Sequence, residues 1–68
     1  MSLAKVIEVL GEGKTMEEAV ENVVKDASKT VNNIKSVYVE NIQAIVNNNE
    51  LTSYRINAKV TFVLEDKA

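Results

Sequence analysis

The residues that could do chemistry in this 68-residue chain are mainly carboxylates, because histidine and cysteine are both absent. Without histidine the chain lacks the commonest general base and the commonest zinc ligand. Without cysteine it can form neither a disulfide nor a thiolate metal site. Since no serine, threonine or lysine has a histidine to activate it as a nucleophile, we expect a protein that is not an enzyme.

The carboxylates show no spacing typical of a calcium-binding loop, so most of them are expected to be solvated. Copies of one carboxylate gathered around a symmetry axis could still form a cation site that a single sequence does not reveal. Glu8 and Glu40, both on predicted strands, are the candidates for such a site. The full set is Glu8, Glu12, Glu17, Glu18, Glu21, Asp26, Glu40, Glu50, Glu65 and Asp66.

The segment Gly11-Glu12-Gly13-Lys14-Thr15 lies between a predicted strand and a predicted helix, as a phosphate-binding P-loop does. The full P-loop motif needs a glycine five residues before Gly13, and Glu8 occupies that position. We therefore interpret the glycines as a turn and Thr15 as a helix cap, and we do not expect nucleotide hydrolysis. Weak anion binding at the helix N-terminus remains an alternative.

The first half of the chain predicts a strand followed by a helix. A β-branched run over Lys5–Leu10 indicates the strand, which Gly11-Glu12-Gly13 is expected to end. Thr15 and Glu18 have the capping-box spacing that marks the start of a helix. Asn32-Asn33 is expected to end that helix, since asparagine tolerates the left-handed conformation. The apolar stripe of the helix is Met16, Ala19, Val20, Val23, Val24, Ala27 and Val31.

The second half predicts a long hairpin. In the second strand, from about Lys35 to Val46, the apolar residues change phase, which predicts a β-bulge near Glu40–Asn41. Asn47-Asn48-Asn49-Glu50 is a predicted turn, and the third strand runs from about Leu51 to Leu64. On the third strand, Tyr54, Ile56, Ala58, Val60, Phe62 and Leu64 face one way, and Arg55, Asn57, Lys59 and Thr61 face the other.

These elements predict an α+β fold: one domain over residues 1–68, a β-α-β-β subunit with a three-stranded antiparallel sheet curled around one helix. A crossover makes the first two strands parallel, so the third should lie between them. The third strand, about 14 residues, would be roughly 46 Å long, whereas a compact globule of this size is only about 28 Å across. Because so small a domain is marginal alone, we expect a homo-oligomer.

Charge and hydropathy narrow the range of partners. The net charge is −2, and both signs are spread along the chain, which does not favour a nucleic-acid binder. No apolar run is long enough to span a membrane or to form a signal-peptide core, so a cytoplasmic protein is expected. The polar face of the third strand could be solvated or could line a cavity between subunits, and the pattern leaves both alternatives open.

Nearly the whole chain resembles the dodecins, a family of small flavin-binding proteins. The resemblance is carried by Lys5-Val6-Ile7-Glu8-Val9 with Gly11, by Ala27-Ser28-Lys29-Thr30, and by Tyr54 through Val60 with Phe62 and Leu64-Glu65. It implies a β-α-β-β subunit assembled into a hollow, cubic homododecamer that stores a small ligand. It also implies that flavins bind in pairs near two-fold axes, stacked between tryptophans.

The resemblance marks three positions as ligand-binding, and two of them carry other residues here. Ser36 stands where flavin-binding dodecins have the stacking tryptophan, Arg55 where they have a glutamine, and Asn41 beside the ribityl side. The first change removes an aromatic surface and the second introduces a fixed cation. Riboflavin is therefore expected to bind weakly, and the first candidate ligand is a flavin (riboflavin or FMN) or another flat anionic molecule anchored by Arg55.

The alternative is calcium. An arginine at position 55 without any tryptophan is similar to a divergent branch of dodecins for which calcium binding has been proposed. That resemblance implies a divalent cation held by carboxylates at symmetry axes, with no ligand residues assigned. If Arg55 does not reach an anionic ligand, we expect it to pair with a carboxylate across a subunit boundary, with Glu40 as the candidate partner.

Overall fold

The computed structural model describes residues 2–65, so Asp66, one of the carboxylates above, lies outside the described residues. The elements are β1 (Ser2–Gly13), α1 (Met16–Ala27), β2 (Ile34–Asn47) and β3 (Glu50–Glu65). The sheet has the order β1-β3-β2, and both pairings are antiparallel. The predicted β-α-β-β subunit, with β3 in the centre of the sheet, is confirmed.

The start of α1 follows the predicted capping box. Thr15 has an extended backbone, and its side chain accepts a hydrogen bond of 3.0 Å from the backbone N–H of Glu18. The Glu18 carboxylate in turn accepts a hydrogen bond of 2.8 Å from the backbone N–H of Lys14. Glu17 and Glu18 also place negative charge at the positive end of the helix dipole.

The prediction that the helix continues to Asn32-Asn33 was wrong, because α1 ends at Ala27. The backbone N–H groups of Lys29 and Thr30 donate to carbonyls three residues back, at 3.2 and 3.1 Å, which tightens the last turn. The Ser28 hydroxyl also donates to the Lys25 carbonyl at 2.8 Å. Asn33 does adopt a positive φ of 60°, but it redirects a connecting segment rather than the helix itself.

The prediction that Gly11-Glu12-Gly13 ends the first strand was also wrong. β1 continues through both glycines, which pair with Ile56 and Tyr54 of β3, and neither glycine has a positive φ. A Cβ atom at Gly11 would overlap the Val23 side chain, and one at Gly13 would lie 2.5 Å from the backbone nitrogen of Ala19. The glycines therefore let α1 approach β1 closely, and they are not turn residues.

The β2–β3 hairpin contains the predicted bulge. Val39 pairs with Ala58 and Asn41 with Asn57, which leaves Glu40 as the extra residue. The turn residues Asn48 and Asn49 have φ values of 53° and 61°, as a two-residue hairpin turn of the primed type requires. The predicted strand bounds agree with the observed ones within one residue at each end.

The core is small and lies between α1 and one face of β3. The alternation predicted for β3 is confirmed, because the even-numbered residues from Ile56 to Phe62 are buried. Partly buried residues of β1 and β2, among them Val9 and Val37, complete it. The buried core residues are Ala19, Val23, Ala27, Ile56, Ala58, Val60 and Phe62.

The molecule is elongated because the hairpin extends beyond the core. Its extents are 56 × 18 × 14 Å and its radius of gyration is 14.2 Å, against about 11 Å for a compact chain of this length. β1 ends opposite Tyr54, so residues 45–53 form a two-stranded ribbon with no third strand beside it. Val46 and Leu51 on this ribbon are 60% and 55% exposed. Such a ribbon is marginally stable without further contacts.

Candidate functional site

The face of the sheet that points away from α1, which we call the open face, carries the candidate site. Side chains alternate between the two faces of a strand, so the odd-numbered residues of β3 lie opposite the buried ones. The register then places partners on both neighbouring strands. Four rows cross the open face from β2 through β3 to β1: Ser36-Thr61-Val6, Tyr38-Lys59-Glu8, Asn41-Asn57-Leu10 and Gln43-Arg55-Glu12.

Arg55 is held by Glu12 of the same chain. Its Nε and Nη2 atoms both donate to Oε1 of Glu12 at 3.2 Å, and the Ser53 hydroxyl donates to the other carboxylate oxygen at 3.3 Å. The two side chains of the ion pair are 50% and 51% exposed, so the pair contributes at most about 1 kcal/mol to stability. A guanidinium has five N–H donors, and the two engaged here leave three for a ligand.

Within one chain Arg55 pairs with Glu12 and not with Glu40, and the predicted pairing with Glu40 across a subunit boundary stays a prediction. Glu40 is the bulged residue of β2, and its Oε2 atom lies 3.2 Å from Nζ of Lys59. The register places Gln43, not Glu40, directly across from Arg55. Without the bulge Ile42 would lie across from Arg55, so the extra residue in β2 is what places Gln43 there.

The structure brings two of the three predicted ligand-binding residues together. Asn41 pairs with Asn57, and Arg55 is the next residue of β3 on the same face, so Asn41 and Arg55 are diagonal neighbours about 7–8 Å apart. Ser36 pairs with Thr61, six residues from Arg55 along β3, which corresponds to about 20 Å. Within one chain, Ser36 therefore does not share a site with the other two.

Glu12 and Tyr38 are open-face residues that the sequence reasoning missed. Glu12 was assigned to a turn, although the spacing of Gly11 and Gly13 equally allows it to continue the alternation of β1. Tyr38 lies between the inward-facing Val37 and Val39, and this alternation could have placed it on the open face. It is 66% exposed.

Neither a metal cluster nor a membrane helix is found in the part of the chain that the structure describes. Between residues 2 and 65 no three acidic side chains lie close enough to hold a metal ion within one chain. Over the same range, no helix is long and apolar enough to cross a membrane.

Comparisons with known proteins agree with this architecture. A protein from Thermus thermophilus superposes with a TM-score of 0.88 at 22% identity, covering 98% of this chain and 100% of its own. Dodecin from Streptomyces davaonensis gives a TM-score of 0.87 at 21% identity, over 96% of this chain and 97% of its own. Dodecin from Streptomyces coelicolor gives 0.86 at 24% identity, over 97% and 96%.

At this level of identity the solved structures establish the fold. No curated protein is a significant match to the chain. A family model described as Dodecin matches residues 3–65, nearly the entire length. The chain therefore belongs to the dodecin family.

Proposed function

We propose that this chain is the subunit of a homododecameric, non-enzymatic binding protein that stores a small, flat anionic ligand, with a flavin as the first candidate. The observation that carries the proposal is the open face. It is not covered by α1, and its central strand presents polar side chains from Arg55 to Thr61. Dodecins as a family bind flavins, and membership of that family supports this ligand class.

The exposed apolar residues support assembly. Leu3, Leu10, Val46 and Leu51 are each more than half exposed in the isolated subunit. A small soluble protein gains stability when such residues are buried, at about 25 cal/mol for each Å² of apolar surface removed from water. The ribbon of residues 45–53 has no core of its own, so a neighbouring subunit is the natural surface for it to pack against.

The ligand would bind between subunits. Arg55 and Asn41 are neighbours, whereas Ser36 lies about 20 Å away along the sheet. A site that uses all three positions would therefore take Ser36 from one copy and Arg55 with Asn41 from another. In such a site the free N–H donors of Arg55 can bind a phosphate or a ring carbonyl, and the Asn41 amide can bind hydroxyl groups.

Calcium ranks below a flavin on the same face. Glu12 is paired with Arg55, Glu40 is paired with Lys59, and the register places Glu8 across from Lys59. Each of these carboxylates already has a cation nearby, and a calcium site would have to displace or outcompete it. A calcium-binding dodecin that has lost flavin binding remains the alternative outcome of the tests below.

The first experiment is native mass spectrometry of the purified protein with riboflavin, FMN or calcium added separately. We expect a mass of about twelve subunits and additional mass with FMN. A protein that stays monomeric at micromolar concentration would contradict the assembly. Calcium binding without flavin binding would replace the first candidate by the alternative.

The second experiment tests Arg55 as the anionic anchor by equilibrium dialysis. A hydrogen bond to a charged group is worth about 1.5–3 kcal/mol, so FMN should bind roughly 10- to 150-fold more tightly than riboflavin. Arg55→Gln should abolish that preference, because the amide carries no charge. Lys25→Gln, on the exposed surface of α1, removes the same charge away from the open face and should not change it. Equal FMN preference in both variants would show that Arg55 is not the anchor.

A further inference from the structure

Tyr38 is the aromatic side chain that the open face presents. Of the three aromatic residues in the chain, Phe62 is buried in the core and Tyr54 is half-buried on the helix-facing side. Tyr38 is 66% exposed and lies in a regular part of β2, directly across from Lys59. Its large ring is therefore available for contact with a partner, and aromatic rings contribute most when such contacts are made.

The spacing beside Tyr38 suits a flat ring. Ser36 and Tyr38 are two residues apart on the same face of β2, which places them about 7 Å apart. Stacked aromatic rings keep their carbon atoms about 3.5–4.0 Å apart. A ligand ring stacked on the side of Tyr38 that faces Ser36 would therefore lie about midway between the two residues. The serine side chain is short and leaves room for such a ring, and we call the space between Ser36 and Tyr38 the slot.

Hydrogen-bond donors surround the slot. The Ser36 and Thr61 positions face each other across the strands and both carry hydroxyl groups. Lys59 lies opposite Tyr38, and Glu40 holds its ammonium group at 3.2 Å. Hydroxyl and ammonium donors around an aromatic surface match a planar heterocycle with carbonyl or ring-nitrogen acceptors at its edge.

We infer that Tyr38 supplies the stacking surface for the flat ligand, two residues along β2 from the position where tryptophan is missing. This inference rests on the proposed function and adds to it a residue that determines which ligands bind. Stacking on Tyr38 restricts the ligand to planar aromatic molecules, and the donors around the slot favour those with polar edges. A tryptophan at position 36 would close the second side of the slot and sandwich the same ring.

The test is equilibrium dialysis of riboflavin, and separately of FMN, against the assembled protein and three variants. Dialysis measures affinity independently of fluorescence quenching, which loss of a tyrosine would change by itself. Tyr38→Leu should lower the affinity by about 5- to 150-fold, the value of one aromatic contact with a base-like ring. Tyr38→Phe keeps the ring and should retain the affinity, and Ser36→Trp should raise it by a similar factor. Circular dichroism and size-exclusion chromatography identify any variant that fails to fold or assemble.

The outcomes separate this inference from the proposed function. If wild type binds a flavin and Tyr38→Leu binds it equally well, Tyr38 is not the platform and the proposed function stands. If Tyr38→Leu does not fold, an unchanged affinity in Ser36→Trp overturns the inference. If wild type, Tyr38→Phe and Ser36→Trp all bind neither riboflavin nor FMN, both the inference and the flavin-class function are wrong.

Discussion

The replacement of Gly11 by alanine distinguishes two roles for the glycines between β1 and α1. If Gly11 served only as a flexible turn residue, alanine would be tolerated, because its φ is not positive. Alanine would then stabilise the protein by about 0.4–1 kcal/mol through a less flexible unfolded chain. The structure predicts the opposite sign. A Cβ at Gly11 would overlap the Val23 side chain and lie 2.9 Å from the Ala19 carbonyl oxygen.

The magnitude follows from these opposing effects. Overpacking a tight interface costs about 1–3 kcal/mol, and the entropic gain from alanine offsets part of it. We expect Gly11→Ala to lower the free energy of unfolding by about 1–2 kcal/mol. For a domain of this size, 1 kcal/mol corresponds to about 4–8 °C in Tm. Urea unfolding and thermal melts at one fixed protomer concentration give the value, since stability in an oligomer depends on concentration.

A double-mutant cycle supplies the control. Val23→Ala removes the side-chain atoms that a Cβ at Gly11 would overlap, so the two substitutions should compensate each other in part. We expect a favourable interaction free energy of about 0.5 kcal/mol or more in the double variant. Two results would refute the close-approach reasoning: a Gly11→Ala protein as stable as wild type, or strict additivity in the cycle.

Three further substitutions test the helix cap, the ion pair and the ribbon. Thr15→Ala should lower the free energy of unfolding by about 1 kcal/mol, because it removes the acceptor for an N–H group at the start of α1; an unchanged urea midpoint would contradict this. Arg55→Ala should change the free energy of unfolding by no more than about 1 kcal/mol, since the pair of Arg55 with Glu12 is half exposed. If thermal melts show that the free energy of unfolding falls by about 3–5 kcal/mol, the pair is buried between subunits. Leu51→Asp should reduce the oligomer size measured by light scattering, whereas the control Asn49→Asp, also exposed on the ribbon, should not. If the Leu51→Asp oligomer is as large as the wild-type oligomer, Leu51 is not buried on assembly.

The parts of the fold that depend on local pattern could be predicted from the sequence. The alternation on β3 and the capping box of α1 are each set by residues close together in the chain, and both were confirmed. The role of Gly11 and Gly13 could not be predicted from local pattern. A glycine that ends a strand and one that makes room for a helix have the same sequence signal, and only the packing of α1 on β1 separates them.

The end of the helix shows a similar limit. Val31 continues the apolar stripe of α1, yet the helix stops at Ala27 and Val31 reaches the core from the following segment. A partly buried valine satisfies the hydrophobic pattern in either conformation, so the pattern does not fix the helix end. The hydroxyl groups of Ser28 and Thr30, which bond to carbonyls three residues back, favour the earlier end.

The candidate site depends on the extra residue at Glu40, one of three register shifts between β2 and β3. Val37 and Val39 face the helix. Strict alternation would therefore also turn Asn41 and Gln43 towards the helix and would turn Ile42 towards the open face. The bulge reverses the phase, and Asn41 and Gln43 then lie on the open face beside Arg55. The sequence revealed this reversal, but it could not fix the register that pairs Arg55 with Gln43 and Glu12.

The distance between Ser36 and Arg55 has the strongest consequence for function. Both lie on the open face, yet about 20 Å of strand separates them, which exceeds what one ring system can bridge. A ligand that contacted both positions would therefore have to touch two subunits, and its binding would stabilise the assembly as well as occupy the site. The elongated hairpin that leaves the isolated subunit incomplete is thus the same feature that would bring the two halves of a binding site together.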